Sequence, residues 1–108
     1  MMRSAAPLLA LMLLAACARE PKKAVLGEWR NGGERMEFLA DGRVLLKHVD
    51  GSVTIANWEF PEKRVLRMRQ LAAEPTDYAV TLRRDSLALC KAAAPGDCYR
   101  FARVQSQR

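Results

Sequence analysis

Few residues in this chain have the type and spacing that chemistry requires. Cysteines stand at Cys17, Cys90 and Cys98, and His48 is the single histidine. An imidazole with no matching nucleophile reads as a strand residue of a β-hairpin rather than a catalyst. A metal site needs more thiol or imidazole ligands than this chain can bring together. The carboxylates are scattered one at a time over turns and outward positions, with no close pair for general acid–base work. There is no glycine-rich phosphate loop and no serine-centred elbow. The expectation is a protein that is not an enzyme and that uses no metal and no cofactor.

Positive charge is the more prominent chemistry. The 108 residues carry 18 Lys+Arg against 12 Asp+Glu, a formal net charge of +6. The densest cluster is Lys63, Arg64, Arg67 and Arg69, with Arg83 and Arg84 further on. Arg67 and Arg69 alternate with Leu66 and Met68, so on a strand they share the wet face. That face reads in two ways. It is a solvated surface whose long side chains cover apolar area and blunt a sheet edge, or it is a contact for an anion: a lipid headgroup, a lipid phosphate or an acidic partner protein.

The elements that position these residues begin with a segment unlike the rest. Arg3 precedes an apolar run from Ala5 to Ala16, the length and charge pattern of a secretory signal peptide over residues 1–16. Its last residues, Leu14-Ala15-Ala16-Cys17, resemble the lipobox of bacterial lipoproteins. The resemblance implies that Cys17 is lipidated and becomes the mature N-terminus. It also implies two or three acyl chains, enough for durable membrane anchorage at about 0.8 kcal/mol per buried CH₂. The next residue is Ala18 rather than Asp, which by the same resemblance implies the outer membrane of a bacterial cell envelope, facing the periplasm. Residues 17–25, with Arg19, Glu20, Pro21, Lys22 and Lys23, read as the lipidated terminus and a short solvated tether. Export excludes nucleic acid as a partner. The 91 residues after Cys17 keep 17 Lys+Arg against 12 Asp+Glu, since only Arg3 is lost, for a net charge of +5.

Export also bears on the remaining cysteines. In an oxidising compartment an even pair reads as a disulfide between Cys90 and Cys98. Register agrees: if Cys90 faces Cys98, then Leu89 faces Tyr99 and Leu87 faces Phe101. Four large apolar residues then share one face, and the cysteines lie on the other with Ala88, Arg100 and Ala102.

From Leu26 the chain alternates short apolar runs with turn residues such as Asn31-Gly32-Gly33, Asp41-Gly42, Asp50-Gly51, Pro61-Glu62-Lys63 and Ala94-Pro95-Gly96-Asp97. This predicts strands near 26–30, 34–40, 43–49, 52–60, 64–70, 77–83, 86–90 and 98–104. The fold class is all-β: a small antiparallel meander barrel of about eight short strands over residues 26–104, followed by a polar tail at 105–108. A three-residue loop ending on Gly42 places Phe38 opposite Val44 and Met36 opposite Leu46. For Asp50-Gly51 two registers remain open. A two-residue turn pairs Leu46 with Ile55 and His48 with Val53, whereas a three-residue loop turns Trp58 inward.

Gly27-Glu28-Trp29 opens the first strand, and Tyr99-Arg100-Phe101-Ala102-Arg103 closes the last. This arrangement resembles the lipocalin and calycin pattern, a G-x-W with a basic residue of the final strand packed across the Trp. The stretch Glu37-Phe38-Leu39-Ala40-Asp41-Gly42-Arg43-Val44 is similar to a hairpin of small lipocalin-like domains in bacterial lipoproteins. The resemblance implies that Trp29 plugs one barrel end, that Arg103 lies on its indole, and that Gly27 admits the close approach. Strands of six or seven residues span only ~20–24 Å, which makes for a narrow interior that large side chains fill. The expected function is therefore a membrane-anchored, non-catalytic binding or accessory module for an envelope protein. Two alternatives are a small carrier or sensor of a lipid or other apolar ligand in the barrel mouth, and an inhibitor of an envelope-directed enzyme.

Overall fold

The computed structural model describes residues 20–105. The segment predicted as a signal peptide over residues 1–16, the predicted acylation site Cys17 and residues 106–108 of the predicted polar tail lie outside them. Eight strands follow one another: β1 (Gly27–Asn31), β2 (Glu34–Phe38), β3 (Arg43–Lys47), β4 (Val53–Glu62), β5 (Val65–Gln70), β6 (Thr76–Leu82), β7 (Ser86–Lys91) and β8 (Cys98–Arg103). Each pairs antiparallel with its predecessor, and β8 returns to β1 through Trp29↔Arg103 and Arg30↔Ala102. The protein is a closed all-β meander barrel, so no strand is left with an unpaired edge.

Local chemistry sets most of the registers. In the β2–β3 hairpin Phe38 faces Val44 and Met36 faces Leu46. Asp41 accepts the Arg43 amide at 3.1 Å, and the loop ends on Gly42 at φ 95°. The β3–β4 hairpin takes the three-residue loop: the His48 amide donates to the Ser52 carbonyl at 2.8 Å, and Leu46 faces Thr54 rather than Ile55. His48 itself lies just beyond β3. This register turns Ile55 outward and Trp58 inward. The Trp58 ring meets Phe38 edge-on at 5.4 Å, and its Nε1–H is shared between the Leu39 and Arg43 carbonyls at 3.1 and 2.9 Å. Burying an indole with its N–H satisfied outweighs the small difference between the two turns.

β4 is longer than the sequence suggests. It runs through Pro61 to Glu62, and the turn shrinks to Lys63-Arg64. A register shift between Glu59 and Glu62 takes the proline, which has no amide hydrogen, out of the ladder.

Trp29, Phe38, Val44, Leu66, Leu87 and Leu89 are fully buried inside the barrel, with Trp58, Met68, Tyr78, Val80, Leu82 and Phe101 packed against them. The chain ahead of β1 departs from a solvated tether over residues 17–25 and joins this core at Val25. Pro21–Ala24 forms a single helical turn, α1, with proline in its first turn, where a missing amide hydrogen costs nothing. Val25 is completely buried, and its carbonyl accepts the Trp29 Nε1–H at 2.9 Å. An apolar side chain beside an open barrel end gains more by plugging it than by staying in water.

Candidate functional site

The meander gives the barrel two unlike ends. At the end where β1 begins lie α1 and the loops at 39–42, 63–64 and 83–85. At the far end lie the loops at 32–33, 48–52, 71–75 and 92–97.

The first end is organised by Arg103. Its guanidinium lies 4.2 Å from the Trp29 ring centroid, donates from Nη2 to the Ala24 carbonyl at 2.7 Å and from Nη1 to the Leu26 carbonyl at 3.1 Å, and reaches the Arg84 carbonyl from Nε at 3.0 Å. One side chain thus fastens α1, β1 and the β6–β7 loop together. Gly27 makes room for it: φ is 113°, and a Cβ there would lie 3.2 Å from Arg103 Nη1. Gly27, Trp29 and Arg103 are therefore brought into one arrangement, held by backbone acceptors and an aromatic face.

Beside Arg103 the same end opens into a cleft of about 1190 Å³ between α1, the β4–β5 turn and the β6–β7 loop. Lys63, Arg64, Arg83 and Arg84 line it, and Asp85 is its one carboxylate. All four basic residues are exposed, and none of them forms an ion pair among the described residues. Lys22 and Lys23 stand exposed on α1 alongside.

The basic residues read from sequence as one face are divided by the structure. Lys63 and Arg64 belong to the cleft. Arg67 is engaged in a forked pair with Asp77, at 2.8 and 3.1 Å, with Glu59 near by. The Arg67 guanidinium holds the Asp77 carboxyl below its ordinary value, and Asp77 in return raises Arg67. Arg69 is exposed further along β5 toward the far end. In their place the fold supplies Arg83 and Arg84, brought round by β6.

One pairing is invisible to simple inspection of the carboxylates. Glu28 faces Glu37 across β1 and β2, a like-charge juxtaposition that is unfavourable alone. Lys47 offsets it, lying 2.9 Å from Glu37 and 3.7 Å from Glu28. Its hydrogen bond to Glu37 raises its own pKa. Treating Gly32-Gly33 as a two-residue hairpin turn would have revealed the pair. Arg35 adds a second cation 3.5 Å from Glu28, so two positive and two negative side chains make a charge-balanced sheet surface. His48 is half-exposed, with Nε2 2.9 Å from Thr54 Oγ1 and Nδ1 3.5 Å from Glu34.

The far end is stapled and apolar. Cys90 and Cys98 form the disulfide across β7 and β8, with Leu89↔Tyr99 and Leu87↔Phe101 on the inner side of the hairpin. Around the rim Val49, Val53, Leu71 and Tyr99 are exposed, Leu71 almost completely at 94%. Burial raises the Tyr78 hydroxyl above its ordinary pKa, and neighbouring Tyr99 and Asp97 raise Lys91.

No protein-family model matches the chain, and no curated protein matches it.

Proposed function

We propose that this chain is a small lipocalin-like lipoprotein of a bacterial cell envelope. It is anchored through acylated Cys17 at the periplasmic face of the outer membrane and serves as a non-catalytic binding or accessory module for an envelope protein. The observation that carries the reading is the filled interior. Trp29, Phe38, Leu66, Leu87 and Leu89 occupy the space a carried molecule would need. Closely packed interiors leave few voids, so binding falls to the outer surface and the two ends. Val49, Val53 and Leu71, exposed at the same end of the barrel, suit contact with another protein, because apolar side chains left in water gain by being covered. The Gly27–Trp29–Arg103 arrangement and the eight-strand closure support the lipocalin-like assignment.

Two measurements test this reading. Labelled fatty acid should be incorporated into the wild-type chain and not into Cys17→Ala. Native mass spectrometry of the protein extracted from its own envelope should give the bare acylated mass together with a stoichiometric protein complex. A retained apolar small molecule on the barrel would instead establish the carrier alternative.

A further inference from the structure

We infer that the basic cleft beside Arg103 seats the phosphate groups of anionic phospholipids, so that the barrel rests on the bilayer by that end. The inference builds on the anchorage reading and adds to it a defined orientation and ligand chemistry.

Three observations converge on it. Lys63, Arg64, Arg83 and Arg84 come from two separate turns, yet they line one cleft with a single carboxylate, Asp85, among them. Many basic side chains outside the cleft stand beside acids, as in Arg67–Asp77, Lys47–Glu37, Arg43–Asp41 and Lys91–Asp97. Arg30, Arg69 and Arg100, unpaired among the described residues, lie on β1, β5 and β8 and line no part of the cleft. Exposed cations left unpaired at one concave place focus a positive potential there.

The cleft is also where the chain enters the barrel. Pro21 and Ala24 of α1 form one of its walls. Pro21 follows Cys17 by only four positions, a reach of roughly 14 Å when extended. An acylated Cys17 would hold this end next to the headgroups, and a short tether raises the effective concentration of the cleft at the surface. Lys22 and Lys23 lie on that tether side as well. Charge complementarity calls for an anion, and the short tether to the membrane favours a bilayer phosphate over an acidic protein.

The frame around the cleft is rigid where it needs to be. Arg103 is spent on the Ala24, Leu26 and Arg84 carbonyls and on Trp29, so it fixes the walls. The Arg84 carbonyl accepts from Arg103, leaving the Arg84 side chain free to meet an anion. Surface attraction of this kind amounts to roughly fivefold in binding for each basic residue near an anionic membrane.

The test uses the whole acylated protein reconstituted in vesicles of phosphatidylcholine alone, or of phosphatidylcholine with a minority of phosphatidylglycerol. An amine-acylating reagent then reads lysine exposure by mass spectrometry. Lys63 should be protected severalfold in the phosphatidylglycerol vesicles, and high salt should remove the protection. Lys91, at the far end, should label equally in both. The double substitution Arg83→Glu/Arg84→Glu should abolish the Lys63 protection while circular dichroism and the unfolding midpoint stay at wild-type values. Equal labelling of Lys63 in the two vesicles overturns the inference. Equal protection by inorganic phosphate in phosphatidylcholine vesicles also overturns it, in favour of a free-anion site. A protein that leaves the phosphatidylcholine vesicles fails the anchorage reading separately. The cleft is then decided by whether the same protein sediments with phosphatidylglycerol vesicles: sedimentation retains the headgroup site, and its absence rejects it.

Discussion

The two ends of the barrel solve the same closure problem with opposite chemistry. At the N-terminal end an arginine, an indole and three backbone carbonyls lock α1 onto the strands, and the charges left over line an open cleft. At the far end a covalent bridge holds one hairpin, and apolar side chains remain in solvent around the rim. The first is rigid and electrostatically polarised. The second is stapled at one point and otherwise adaptable. Packing should therefore dominate stability at the first end, and chain connectivity at the second.

The largest expected effect lies where the polar and apolar locks coincide. Trp29→Ala removes a completely buried indole, its hydrogen bond to Val25 and the platform under Arg103. Chemical denaturation should show a loss of about 3–5 kcal/mol, the range for deleting a large core aromatic. A loss below about 1.5 kcal/mol would mean that the N-terminal end is not a packed lock. Gly27→Ala acts on the same lock from the other side, forcing a Cβ into a φ of 113° and against Arg103. It should cost about 1–3 kcal/mol.

The far end's counterpart is the disulfide. Cys90→Ser/Cys98→Ser releases a crosslink spanning a sequence separation of 8, for which loop-closure entropy gives about 2.5 kcal/mol. Because Cys98 is exposed and the bridge sits on the outer side of the hairpin, little packing should be lost with it. The double variant should keep the wild-type circular dichroism spectrum while its denaturation midpoint falls. Collapse of the native spectrum would show that the bridge organises the core, erasing the distinction between the two ends.

How much of this was legible in the sequence depended on how local each determinant is. The pairing of Phe38 with Val44 follows from alternation counted outward from one short loop, and that of Cys90 with Cys98 from an even cysteine pair in a chain read as exported, with the alternation of Leu87 and Leu89 in agreement. Asp50-Gly51 fits either of two loops. Only the burial of Trp58 against Phe38, together with carbonyls of the preceding loop, selects between them. The Arg67–Asp77 pair depends on a register across the β5–β6 loop, and the meeting of Lys63 and Arg64 with Arg83 and Arg84 depends on barrel closure. Such contacts join residues whose separation no local pattern encodes. The signal for α1 was masked by composition: Lys22 and Lys23 make residues 21–24 look solvated, whereas the following Val25 enters the core.

Alkaline pH should separate the ends without any substitution. The far end holds Tyr78, whose pKa burial raises above 10.0, and Lys91, raised above 10.5 by Tyr99 and Asp97. Both folded values exceed the unfolded ones. Their contribution is therefore fully present below about pH 10 and fades as pH rises through the folded values. Unfolding midpoints followed upward from pH 9 should fall, and Tyr78→Phe should flatten the decline by removing the hydroxyl that must ionise. A decline unchanged in Tyr78→Phe would assign it to other groups.

The smallest effect probes how far the rim gives way. A Cβ on Gly33 would sit 2.5 Å from Val49 Cγ2, closer than real side chains approach, so Val49 must move in Gly33→Ala. Val49 is 77% exposed on the β3–β4 loop, where its side chain can swing into solvent. The cost should stay below about 1 kcal/mol and nearly vanish in the Val49→Ala background, a coupling that a double-mutant cycle measures directly. A cost as large as that of Gly27→Ala, with no relief from Val49→Ala, would mean that the β3–β4 loop is clamped as firmly as Arg103 clamps the opposite end. The adaptability assigned to the rim would then have no physical basis, because a surface that cannot shift one exposed valine cannot reshape itself around a partner.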